Sequence, residues 1–159
     1  KALFHVFSAL GEMFFLEPNF IHKFLVKASV AFGPIIHGED VDDAVNTQFA
    51  NAPEYKKSLL LGLPMIQAYV GERNAPPFGV FIHESARSFC PTGKEPFMFK
   101  WWKWFRLSKP GWNKAKTNKL NKSIEDYFAA CEANSISLDY LPERINSHRL
   151  AAKEYFLDK

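Results

Sequence analysis

The chain has 159 residues, 47% hydrophobic and 23% charged, the size and balance of one globular domain rather than a disordered segment. No apolar run nears the roughly 20 residues that span a bilayer, no charged-then-apolar leader opens the chain, and Cys90 and Cys131 lack metal-ligand or disulfide-framework spacing. The net charge of +3 is uneven: residues 97–122 hold eight basic side chains and no acid, leaving twelve basic and seventeen acidic elsewhere, which favours an anionic partner.

In chain order, Leu3, Val6, Phe7, Leu10 and Phe14 recur at helical spacing and predict an amphipathic helix over residues 2–16, ended by Pro18 and Asn19. Residues 24–32 alternate instead, with Phe24, Val26, Ala28, Val30 and Phe32 on one face of a strand and Lys27 and Ser29 on the other, the latter expected to be a solvated face. Gly33-Pro34 interrupts, Ile35-Ile36 resumes, and an acidic turn with Glu39, Asp40, Asp42 and Asp43 follows. Those four carboxylates lack the spacing of a calcium loop and are expected to be solvated. Residues 44–53 read as a loop and residues 55–61 as a short strand stopped by Gly62.

A helix is predicted over residues 63–73, with Pro64 in its first turn, where a missing N–H costs nothing. Residues 78–83 read as a buried strand, 84–89 as one helical turn, 90–93 as a loop and 97–106 as a long aromatic strand. The last third predicts two helices. One buries Leu120, Ile124, Tyr127, Phe128 and Cys131; the other starts at Pro142 with Asp139 as its cap and shares Leu141, Ile145, His148, Ala152, Tyr155 and Phe156 on a face. The order implies an α+β fold, helices covering a mostly antiparallel sheet.

The stretch GLPMIQAYVGE at residues 62–72, with Tyr55 before it, places Gly62, Met65, Ala68 and Glu72 in register with the strand-to-helix element of class III nucleotidyl cyclases, which the chain resembles. The strand KASVAFGPIIHGEDV, the segment LLLGLPMIQAYVGE, the strand PPFGVFIHESA and the closing LDYLPERINSHRLAAKEYF are most similar to the pyrimidine cyclases of bacterial anti-phage defence, the Pycsar type. The resemblance covers residues 24–90 and 138–156.

It implies a class III cyclase-like antiparallel sheet and a cytoplasmic homodimer that turns UTP or CTP into the 3′,5′-cyclic monophosphate and diphosphate, an antiviral second messenger. It also implies two Mg²⁺ or Mn²⁺ ions whose aspartate ligands precede the helix with which this sequence opens, so residues 1–159 are expected to be one domain without its metal-binding strand and hairpin. The family's Asn and Arg, four apart after the Gly, fall on Ile66 and Val70, and its purine-reading Asp on Leu59. A purine cyclase is therefore disfavoured, leaving a pyrimidine cyclase or a catalytically inactive regulatory relative.

A lysine on the late strand contacts the triphosphate in that family, which marks Lys100 or Lys103. Three apart on a strand, they would face opposite ways, so only one could reach a given pocket; the alternative is a pair of edge lysines that block aggregation. Gln67, Tyr69 and Ser58 are further candidate nucleotide contacts, against an ordinary helix Gln and a core Tyr. The histidines His5, His22, His37, His83 and His148 are scattered without a ligand pair, and the HESARS segment reads as a strand-end turn. Finally, the basic aromatic segment that opens at Phe97 and closes at Lys122 has the composition of a single-stranded nucleic-acid binder, provided that its rings are exposed.

Overall fold

The structure is a computed structural model and describes residues 1–41, 51–89, 97–107, 110–133 and 140–157. Asp42, Asp43, Cys90, Lys109 and Asp139, with residues 44–50 of the loop expected at 44–53 and the loop expected at 90–93, lie outside the described residues. The helices are α1 (Ala2–Leu16), α2 (Pro53–Ser58), α3 (Leu63–Glu72), α4 (Glu84–Ser88), α5 (Lys114–Glu132) and α6 (Pro142–Phe156). The strands are β1 (Ala28–Val30), β2 (Ile36–His37), β3 (Leu60–Leu61), β4 (Val80–Ile82) and β5 (Trp101–Trp102).

This is a mixed α+β chain with small sheets and helices at its C-terminal end. One sheet has the order β1-β4-β5, with β1 parallel to β4 and β5 antiparallel to it. A second is the antiparallel ribbon β2-β3. The expectation of a mostly antiparallel sheet holds for two pairings and fails for the third. The intervening chain, which includes α3, returns β4 beside β1 in the same direction, and α3 packs on both.

Four segments differ from their sequence pattern, and the first is the strand expected over 24–32, which is confined to Ala28–Val30. Residues 55–61 split: Pro53 opens a helix that runs to Ser58, and the paired strand is confined to Leu60–Leu61. The long strand expected over 97–106 shrinks to Trp101–Trp102, because Trp104–Arg106 turns into a 3₁₀ helix. That turn sinks Trp104 into the core, where its ring meets Phe4, Phe7, Phe105 and Trp112, and its indole N–H donates 2.7 Å to the Phe78 carbonyl. In α1 the buried stripe is Phe4, Phe7, Gly11 and Phe14, rotated from the expected one, while Leu3 and Val6 face outward. Phenylalanines take the inward positions because they bring more area to the aromatic core.

The C-terminal helices follow their periodicity more closely. Leu120, Ile124, Tyr127, Phe128 and Cys131 are all buried on α5, which packs against α1 and α6. On α6, Ile145, Ala152, Tyr155 and Phe156 are buried, His148 is half-buried, and Leu141 is exposed as the helix N-cap.

β4 is the middle strand and all three residues are buried. Its alternation sends Val80 and Ile82 into the core cluster with the buried residues of α1, α5 and α6, and Phe81 toward α3. Gly71 permits that second layer: a Cβ there would stand 2.6 Å from Ser29 Oγ and 3.0 Å from Phe81 Cδ1. At the entry to β4, Phe78 adopts a left-handed backbone with φ of 54°, a rare state for a bulky residue. It is held by its N–H donating 2.7 Å to Val26 and its carbonyl accepting from Trp104.

Candidate functional site

Two hollows meet at one hydrogen bond. The first, about 370 Å³, opens between α3, β4 and α4, where Ile66, Gln67, Val70, Asn74, Phe81, His83, Glu84 and Arg87 line it. Ile66 and Val70, one helical turn apart, form one exposed apolar wall. The second, about 430 Å³, lies beside β5, with Phe99, Lys100, Trp101, Lys103 and Arg106 along it and Glu154 of α6 opposite. Trp101 Nε1 donates 2.9 Å to the carbonyl oxygen of Asn74, so a wall of the second hollow is tied to a wall of the first.

Both volumes suit a small organic ligand. The second hollow combines aromatic faces with cations: Lys100 Nζ stands 5.5 Å from the Trp101 ring centroid, an arrangement in which base and phosphate can both be met.

The sequence-predicted candidates separate. Gln67 is half-buried and borders the first hollow, between the positions that carry Asn and Arg in the resembled family. Tyr69 is 73% exposed and lines neither hollow, so it is not a core tyrosine. Ser58 closes α2 and donates 2.7 Å to the carbonyl of Tyr55, so its hydroxyl serves its own helix. Lys100 and Lys103 border the same hollow, contrary to the expectation that only one could reach a given pocket. The strand ends at Trp102, and Lys103 begins the 3₁₀ turn that brings its stem round; its ammonium donates 3.0 Å to the Leu157 carbonyl.

Lys27 corrects another expectation. It is half-buried rather than solvated, and its Nζ donates 2.9 Å to His148 Nε2, leaving the ring proton on Nδ1 against the Tyr140 hydroxyl. Burial, with the positive charges of Lys27 and Arg144, pushes His148 down to about 4. Burial also lowers Lys27, partly opposed by Glu72, and pushes Tyr140 up to about 12. The group clamps α6 to the start of β1.

His83, Asn74, Arg87 and Trp101 escaped sequence reasoning as members of one site. The available signal was the His-x-Ser step just after a buried strand, where His83 accepts from the Ser85 backbone N–H and caps α4. The four rings buried in the basic segment, Trp102, Trp104, Phe105 and Trp112, are core and offer no stacking face. Among the described residues no group of three or more His, Cys, Asp or Glu could share a metal ion. Among them, too, no helix is long and apolar enough to cross a membrane.

No protein-family model, curated protein or solved structure matches the chain.

Proposed function

We propose that this domain binds a pyrimidine nucleoside triphosphate, as part of a nucleotidyl cyclase that forms the 3′,5′-cyclic monophosphate for anti-phage signalling. The observation that carries the reading is the junction at Trp101 and Asn74, which sets an apolar-walled, amide-lined hollow beside a cationic aromatic one. A nucleotide has the matching halves, a flat base with ribose and a chain of anionic oxygens. Lys100 is the cation placed for the phosphates, Trp101 the ring beside it, and Gln67 the amide placed for ribose or base.

The reaction is attack of the ribose 3′-hydroxyl on the α-phosphorus, which breaks the bond to the bridging oxygen and releases diphosphate. Charge neutralisation and positioning are what a protein contributes to such a transfer. The described residues provide the positioning surface and one part of the charge.

A homodimer agrees with the outer face of α3 and the β2-β3 ribbon. Ile35, Ile36, Leu60, Leu61, Leu63 and Met65 are all exposed there, an apolar patch of the kind that interfaces cover. The test is incubation of the full-length protein with each of the four nucleoside triphosphates and Mn²⁺ or Mg²⁺, followed by mass-spectrometric detection of cyclic product. Cyclic UMP or CMP is expected. Absence of any cyclic nucleotide from a folded, full-length preparation would reject the enzyme reading, and absence of UTP and CTP binding would reject the site.

A further inference from the structure

We infer that His83 is a ligand-binding residue of the first hollow, donating its Nε2–H to an acceptor oxygen of the bound nucleotide, with Ser85 as the positioning residue that fixes the ring. This deepens the nucleotide reading above and rests on it.

Nδ1 of His83 is committed within its own turn. The Ser85 backbone N–H donates to it at 3.1 Å, an interaction that demands a lone pair on Nδ1. The Ser85 hydroxyl stands 3.0 Å from the same nitrogen, and its oxygen already accepts the Phe32 backbone N–H at 3.1 Å. Because the backbone N–H donation makes Nδ1 an acceptor, the hydroxyl contact with that nitrogen is one in which Oγ–H donates. A neutral imidazole has one donor and one acceptor nitrogen. Nδ1 is therefore the acceptor and Nε2 carries the proton.

The ring is also held in place. His83 follows β4, its backbone N–H donating 2.8 Å to Val30, and its ring meets Phe81 edge-on with centroids 6.5 Å apart. Half-buried and bordering the hollow with Gln67 and Asn74, it presents a donor whose direction is set before any ligand arrives, so little ordering is required on binding. An amide can turn over to suit either kind of partner, but this imidazole cannot. The ligand group that it accepts must therefore carry a lone pair: a base carbonyl, a ribose oxygen or a phosphate oxygen.

The test uses two substitutions that each copy half of the imidazole. The Gln side-chain amide in His83→Gln reaches about as far as Nε2 and can donate there. The shorter Asn oxygen in His83→Asn copies Nδ1 and can still cap α4, but nothing reaches the hollow. Binding of UTP, uridine and inorganic triphosphate to the intact chain would be measured by calorimetry, and the tautomer read from the ¹⁵N shifts of the imidazole. The expected results are an Nε2–H tautomer, about tenfold weaker UTP binding for His83→Asn, and near-native binding for His83→Gln. Loss that follows uridine places the accepting oxygen on the nucleoside, and loss that follows triphosphate places it on the phosphates. An Nδ1–H tautomer would overturn the inference, as would UTP binding unaffected by His83→Asn or weakened equally by both variants; in each case the nucleotide reading would stand. If wild-type protein binds none of the three ligands, both readings fall together.

Discussion

Lys27 donates to His148 across 121 residues of sequence, and the contact joins the residue just before the first strand to the last helix. Its stability is tied to pH. His148 has a folded value of about 4 against an ordinary 6.5, so between those values the unfolded chain binds the extra proton and the folded one does not. Stability is fully present above about pH 6.5, falls as pH drops toward 4, and levels off below. Allowing for solvent screening of a half-buried ring, the loss should be about 2 kcal/mol. Urea unfolding across this range should show a shallower pH slope for His148→Gln; an identical slope would place the dependence elsewhere.

Replacing Trp101 by Phe keeps a ring beside Lys100 but removes the indole N–H that joins it to Asn74. Folding stability should fall by no more than about 1 kcal/mol, while UTP affinity should drop several-fold because the two hollows lose their shared wall. Thermal unfolding and calorimetry on the same samples separate these effects. Equal affinity would show that the junction does not organise the site.

Lys100→Ala should weaken UTP binding by about tenfold at low salt and by less as ionic strength rises, since a surface charge is screened beyond roughly 8–10 Å. The melting temperature should not move, because Lys100 is exposed. A salt-independent loss would point to packing of its stem on Trp101 rather than to charge.

Gly71→Ala puts a methyl group against Ser29 Oγ and Phe81, and is expected to cost about 1–3 kcal/mol by overpacking. Ser29 Oγ is buried without a hydrogen-bond partner. Ser29→Ala should therefore be neutral or slightly stabilising, and in the double variant it should restore part of what Gly71→Ala loses. Denaturant midpoints for the four proteins close the cycle; strict additivity would mean that the two positions do not touch.

Cys131 sits on the buried face of α5, and burial raises its thiol above the ordinary range. Its labelling by a maleimide at neutral pH, followed by site-resolved mass spectrometry, should be slow in the native protein and fast in urea. Fast native labelling would mean that α5 opens without global unfolding.

Regular periodicity made the two C-terminal helices legible. The five apolar positions of α5 and four of the six on α6 are where a 3.6-residue repeat puts them, because one buried stripe decides each helix. The strands were less legible: each described strand is two or three residues long, too short for alternation to outweigh tertiary contacts. Residues 97–106 alternate well enough on paper, yet Trp104 gains more by turning inward to meet Phe4, Phe7 and Trp112. The candidate site divides in the same way. Gln67 and Lys100 could be named because they stand beside residues with a recognisable spacing. His83, Asn74 and Trp101 could not, since a parallel pairing and one indole hydrogen bond bring them together, and neither leaves a mark in local sequence.

The parallel register of β1 on β4 also bears on how the chain folds. Ala28 pairs with Val80, so about fifty residues must be looped out before the first of those backbone bonds can form. The α5–α6 packing, by contrast, joins neighbours in sequence. Closing the long loop carries the larger entropy cost, and distant pairings of this kind are slow to form. Helical hairpin first and central strand last is the order this favours, and the surface around the two hollows would then be among the final parts of the molecule to mature.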